Sequence, residues 1–342
     1  MCRVMSASLR SLRSIRLLRS FAPIALFVAA SIVTQRTLGA QRPEVWAFTG
    51  PWDTHSDASL REHGGRLDAV VTGWIGLDSS SALPLLPSPY PDTIRLLERT
   101  RAGPRRMAIV TSWHGQRFHP ETIRRLARDR ALLARVSSAV ASHAEAMRYR
   151  GMVLDFEALG ASDLDALVGV VRAMTDSLHA RGVSPIVLAI PAGDTAGYPA
   201  RALLGAADLL LVMLYDQHWS GGEPGPIADP EWVRSMVALR VREAGAGRLI
   251  AGLPTYGYRW IQGRPTESLS YAEAQRIATR TGVRLARDPT SQTLRASRRG
   301  EWELWVTDAR QLRSLRSVVR QAGVSRVAYW RLGQEDPEIW NQ

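Results

Sequence analysis

The chain has 342 residues, 45% apolar and 22% charged; this composition excludes wholesale disorder, and the length can bury a large core. The formal charge is +12, but residues 1–40 hold six arginines and no acid, and without them 38 bases stand against 32 acids. All bases are arginine, lysine is absent and Asn341 is the one asparagine, a bias of nucleotide composition rather than a basic patch, so no nucleic-acid partner is expected.

Arg3, Arg10, Arg13, Arg16 and Arg19 precede an apolar run over 21–33, and Leu38-Gly39-Ala40 supplies small residues before Gln41. This is the layout of a signal peptide over residues 1–40, with an apolar run short for a bilayer span. An uncleaved signal anchor is the alternative. Either way residues 41–342 are expected to be exported, secreted or periplasmic, and no later segment reads as a membrane span. The single cysteine, Cys2, falls in this leader, so disulfides and thiol chemistry are not expected in the remainder.

From residue 45 onward short β-rich runs alternate with helical ones. Strands are predicted over 45–48, 69–77, 106–113, 151–157, 185–191, 209–216, 248–257 and 326–332. The clearest amphipathic helix runs over 162–182, with Ser162 as N-cap and Leu164, Leu167, Val171, Met174 and Leu178 three or four apart. Others are predicted over 121–148 and 230–244. Eight strand–helix repeats imply an α/β fold, a (β/α)8 TIM barrel. An open doubly wound sheet is the alternative, but Gly50-Pro51-Trp52 stands where its phosphate loop would follow the first strand. Between the seventh and eighth strands the spacing breaks. A helix over 271–281 and short strands over 283–287, 292–296 and 302–306, then a helix over 308–321, read as a small α+β insertion at about 262–310, on the rim of the barrel.

The fourth strand, Gly151-Met152-Val153-Leu154-Asp155-Phe156-Glu157, ends an apolar run in two acids. Alternation puts Val153, Asp155 and Glu157 on one face. Buried carboxylates are costly unless paired or used; they are either helix caps and arginine partners or the chemistry of a barrel mouth. If the barrel closes, Trp46, Phe48, Trp74, Trp113 with His114, Asp155, Glu157, Pro191, Met213, Tyr215, Asp216, Tyr256 and Trp330 converge at the strand C-termini. This set is rich in indoles and acids and has no cluster of metal ligands. His114 and His119 lack a third partner and read as structural or solvated. Without a Gly-x-Ser-x-Gly elbow or a thiol, acyl-transfer chemistry has no support, and no cofactor or metal is called for. Aromatic faces and a few acids suit a carbohydrate. Trp232, Trp302 and Trp340, in helical or inserted segments, are not expected to meet it.

The run Tyr149-Arg150-Gly151-Met152-Val153-Leu154-Asp155-Phe156-Glu157 resembles the fourth-strand signature of glycoside hydrolase family 18, the chitinase-like barrels. Leu211-Val212-Met213-Leu214-Tyr215-Asp216 resembles their sixth-strand motif, Leu253-Pro254-Thr255-Tyr256-Gly257 their seventh strand and Val327-Ala328-Tyr329-Trp330 their eighth. The run from Tyr215 to Pro226 and the ending Arg331-Leu332-Gly333-Gln334-Glu335-Asp336-Pro337 resemble the bacterial cell-wall, spore-cortex glucosaminidase branch. The resemblance implies an exported retaining hydrolase of glycans containing β-linked N-acetylglucosamine: peptidoglycan, chitin or an exopolysaccharide. Glu157 would be general acid and base, Asp155 would hold the substrate acetamido N–H, Tyr215 its carbonyl oxygen, and Asp216 the reacting sugar above Trp330. Tyr256, Met213, Trp113, Trp46 and Phe48 would complete the sugar site, and a monomer is expected. The signature has Asp at the positions of Arg150 and Val153, and this chain has neither. Two other readings compete: a non-catalytic, lectin-like member, which would typically lack the acid at Glu157, and an unrelated barrel glycosidase using Glu157 and Asp216 as a conventional carboxylate pair.

Overall fold

The computed structural model describes residues 42–86 and 103–341; the predicted leader and part of the proline-rich loop at 83–91 lie outside them. Eight parallel strands close on themselves: β1 Glu44–Phe48, β2 Ala69–Leu77, β3 Arg105–Thr111, β4 Met152–Asp155, β5 Ile186–Pro191, β6 Leu209–Met213, β7 Leu249–Pro254 and β8 Arg326–Trp330. Each pairs with its chain neighbour, and β1 pairs with both β2 and β8, Trp46 standing beside Ala69 and Ala328. The expected (β/α)8 barrel is therefore the fold, with the insertion between β7 and β8.

The strands are near-continuous apolar runs because both faces are covered. Inward residues, among them Val71, Ile109, Val153, Val187 and Leu211, fill the barrel. Outward ones, such as Met152 and Leu154 from β4 and Phe156 just past it, pack under the helices. Register places Val153 beside Ile109 of β3 and Val187 of β5, so the predicted alternation of the fourth strand holds.

Predicted ends shifted where local signals competed with tertiary ones. Several strands stop short of the predicted C-termini: ladder pairing ends at Thr111, Asp155 and Met213, although the apolar pattern runs on. The helix predicted over 121–148 is two, Pro120–Arg128 and Arg130–Ala146. Asp129 breaks it by taking an extended conformation and accepting the N–H of Leu132 as an N-cap. Ser162 is not a cap either. It lies in a 3-10 turn, Ala161–Asp163, before helix Leu164–His179, and Asp163 accepts the Gly160 N–H across that turn.

The inserted sheet has five antiparallel strands in the order Glu267–Leu269, Gly257–Ile261, Trp302–Val306, Leu294–Arg298 and Ala286–Arg287, covered by helix Tyr271–Thr281. Its first strand leaves β7 almost directly, through Thr255 and Tyr256. At Gly257 a side chain would run into the Trp305 carbonyl and the Val306 backbone. Gly257→Ala should therefore cost about 1–3 kcal/mol by overpacking a rigid backbone contact, seen as a lower Tm in calorimetry. Gly247→Ala, in open space, should stay within about 0.5 kcal/mol.

Candidate active site

The strand C-termini open into a cleft of about 580 Å³ with Asp155 and Glu157 among its lining residues. β4 ends at Asp155. Two residues later comes Glu157, and Ala158 turns the chain with φ at 61°, in the left-handed region. Neither acid caps a helix, and among the described residues neither pairs with an arginine. They are instead hydrogen-bonded to each other. Thr111, at the tip of β3, donates its hydroxyl to Asp155 Oδ2 at 2.9 Å while accepting the Trp113 N–H at 3.0 Å. The N–H occupies one lone pair of the Thr111 oxygen, which leaves its proton aimed at Asp155.

Burial pushes both carboxyls above their ordinary range, because the charged form loses its hydration. For Asp155 the hydrogen bonds from Thr111 and Glu157 oppose that rise. For Glu157 the Asp155 charge, their hydrogen bond and the Asp216 charge add to it. The two carboxyls titrate as a coupled pair, with Glu157 raised further than Asp155.

Past the end of β6, Asp216 also takes a left-handed conformation, φ 57°. Its Oδ1 accepts hydrogen bonds from the hydroxyls of Tyr256 and Tyr258, the latter at 3.2 Å. Burial raises its pKa and the two phenols work against that. Tyr258 belongs to the inserted sheet, so the insertion supplies a hydroxyl to this corner of the site. Burial lifts the Tyr215 phenol well above its usual value, with the Glu157 and Asp155 charges acting the same way. Tyr215 is thus a neutral donor.

Trp330 lies stacked near Tyr215, 15° from coplanar with centroids 6.4 Å apart. Phe48 meets it edge-on at 5.3 Å and Trp74 at 5.9 Å. Trp52 extends the line, 5.0 Å from Trp74, under the Arg331 guanidinium. Trp113 stands on the rim, 45% exposed and packed edge-on against Phe118.

Of the residues singled out by sequence, Glu157, Asp155, Tyr215, Asp216, Trp330, Met213, Trp113 and Phe48 line one cleft. Trp46 does not. It is fully buried inside the barrel, its indole N–H on Glu44 and its ring under Arg105, the first residues of β1 and β3, so it points toward the opposite, N-terminal end. Tyr256 is buried behind Asp216 rather than lining the cleft. Trp232 corrects the sequence reading in the other direction: it does line the cleft, from the first turn of helix Pro230–Ala244, whose N-cap Asp229 accepts its backbone N–H. Sequence reasoning also missed Trp52, Thr111 and Tyr258. Trp52 could have been found as the aromatic residue following β1, and Thr111 by ending β3 two residues earlier. His114 and His119 have local roles, bonded to Ser79 and to Glu121.

No family model matches the chain. The cortical fragment-lytic enzyme of Bacillus subtilis is 25% identical over 252 residues, which are 68% of this chain and 58% of that protein. The chain thus spans little more than half the length of this relative. A class V chitinase from Pseudomonas fluorescens Pf-5 superposes with a TM-score of 0.78 at 24% identity, covering 87% of this chain and 98% of the other. The spore cortex-lytic enzyme SleL of Bacillus cereus gives 0.77 at 19%, covering 88% and 73%. Both structural matches establish the fold. In fold the chain is similar to these chitinase-like barrels. Among its described residues no helix is long and apolar enough to cross a membrane. Of the two departures from the family signature, Val153 is fully buried on the inward face and Arg150 is exposed before β4 begins.

The raised Glu157 pKa makes stability depend on pH. Between the ordinary carboxylate range and the folded value, the native state keeps a proton that the unfolded chain releases. Stability from this group is full below that window and falls as pH rises through it. Glu157→Gln, which cannot ionise, should flatten the alkaline fall in Tm and leave the variant more stable than wild type at high pH, measured by thermal melts from pH 4 to 9.

Proposed function

We propose that the protein is an exported retaining glycoside hydrolase that cleaves β-linked N-acetylglucosamine-containing glycans by substrate-assisted catalysis. The observation that carries this reading is the placement of Asp155 and Glu157 together on the wall of an aromatic-lined cleft, with Tyr215 and Asp216 lining it too. A carboxyl kept protonated near neutrality suits a general acid. Glu157 protonates the leaving glycosidic oxygen, and the substrate's acetamido oxygen attacks C1, so no enzyme nucleophile is needed. Asp155, held ionised by Thr111, orients the acetamido N–H and offsets the positive charge on the oxazolinium ring. Tyr215 donates to the acetamido oxygen, Asp216 binds the same sugar, and Trp330 provides an apolar floor. Glu157, now a carboxylate, then activates water for attack at C1 with net retention.

The bond between Asp155 and Glu157 also gives Asp155 a role in setting the acid's protonation, although Val153 leaves no third acid beneath it. The tyrosine clamp on Asp216 argues against its use as a free nucleophile in a conventional pair. The names of the relatives put bacterial cortex fragments first among substrates to test.

Reduced peptidoglycan fragments and chito-oligosaccharides should be turned over by wild type, and Glu157→Gln should lower kcat by roughly 10²–10⁴-fold, the usual worth of a positioned acid. Absence of product from any acetamido sugar, with binding retained in both proteins, would instead mark a lectin-like module. Turnover of de-N-acetylated polymer would contradict substrate assistance. Asp155→Asn removes the charge that raises the Glu157 pKa, so the alkaline limb of kcat/KM should move to lower pH in a pH–rate profile.

A further inference from the structure

The turn carrying Glu157 is held from behind by groups that never line the cleft. Tyr198, 1% exposed, donates its hydroxyl to the Phe156 carbonyl at 2.8 Å and accepts the Leu159 N–H at 3.3 Å. One oxygen thus bridges the residues on either side of Glu157 and Ala158. Ala158 is the residue with φ 61°, a conformation that an L side chain rarely adopts without support. Gly197 lets this support come close: a Cβ there would sit 3.0 Å from the Leu159 carbonyl and 2.6 Å from Asp194 Oδ2.

Tyr198 is itself seated by Arg240, a fully buried arginine on helix Pro230–Ala244. Its guanidinium donates to the carbonyls of Pro191, Ala192, Asp194 and Tyr198 at 2.7–3.0 Å, and to Glu243 at 2.7 Å. An arginine so completely bonded gathers the loop after β5 around one planar group. Pro191 at the end of β5 and Ala192 and Gly193 of that loop also line the cleft, so the same cation shapes the wall and the support of the acid.

We propose that Tyr198, seated by Arg240, is a positioning residue that holds the Glu157 turn in the shape that keeps Glu157 against Asp155. The proposal rests on the hydrolase reading for its kinetic consequence, but not for its geometric one. Asp155 from β4, Asp216 and Tyr215 from beyond β6, and Tyr198 from the β5 loop are the titratable groups acting with Glu157, while Asp194 acts on the phenol and Arg240 holds the Tyr198 carbonyl. If the turn relaxes, Glu157 moves away from the Asp155 charge and loses its proton at lower pH.

Tyr198→Phe removes only the bridging oxygen. In the full chain it should lower kcat on N-acetylated oligosaccharides by roughly 10- to 100-fold, the penalty of a misplaced catalytic group, with KM nearly unchanged and the alkaline limb moved down. Ala158→Gly added to it should recover part of kcat, since glycine takes the left-handed turn without strain. Tm-versus-pH curves of wild type and Tyr198→Phe, each compared with its Glu157→Gln derivative, read the Glu157 pKa without any substrate. A smaller alkaline fall in the Tyr198→Phe pair supports the proposal even if wild type turns over nothing, an outcome that would sink the hydrolase reading alone. Unchanged kcat, alkaline limb and Tm–pH difference would overturn it, as would a uniformly lower Tm with kcat and the limb preserved.

Discussion

Two neighbouring carboxyls with little access to water resist being charged together, and the site follows from how the barrel enforces that pairing at the end of β4. The inward face of the strand brings Asp155 to the cleft, and a left-handed Ala158 turns the chain just after Glu157. The hydroxyl of Thr111 then distinguishes the two acids by favouring the ionised form of Asp155.

The surroundings of this pair come from parts of the chain far apart in sequence. β6 brings Tyr215 and Asp216, the inserted sheet brings Tyr258, and the β5 loop brings Tyr198 behind the acid. Each contributes a neutral hydroxyl rather than a countercharge. A cation beside Glu157 would lower its pKa and release the proton. Phenols instead satisfy hydrogen-bonding demand while leaving the proton in place. Arg240, the large buried cation of this region, is occupied by backbone carbonyls and Glu243.

Most of the barrel was legible because parallel strands covered on both faces leave long apolar runs, and eight of them alternate with helical periodicity. Strand tips were less legible. The predicted third strand runs on to Trp113, past the last ladder bond at Thr111, and an indole is the more conspicuous residue at a strand tip. Helix 121–148 was read as continuous because an aspartate at 129 suits an exposed helix position as well as a cap; only its extended backbone reveals the break. A helical setting in the sequence argues against Trp232 at the site, but its place in the first turn of a barrel helix brings it to the cleft.

By itself the sequence determined the order of the eight strands and the shared face of Val153, Asp155 and Glu157, because side-chain alternation is a local property with a period of two. It also placed the acids, Tyr215-Asp216 and Trp330 at strand ends, where a barrel must gather them. Depth along the barrel axis belongs to the tertiary structure, since it depends on the register between strands; alternation alone could not tell that Trp46 faces the N-terminal end while Phe48 reaches the cleft. The seating of the Glu157 turn was likewise decided only in three dimensions. Asp155, two residues back on the same face, is legible in the sequence, but burial and the Tyr198 hydroxyl act across space, and no residue adjacent in sequence could supply them.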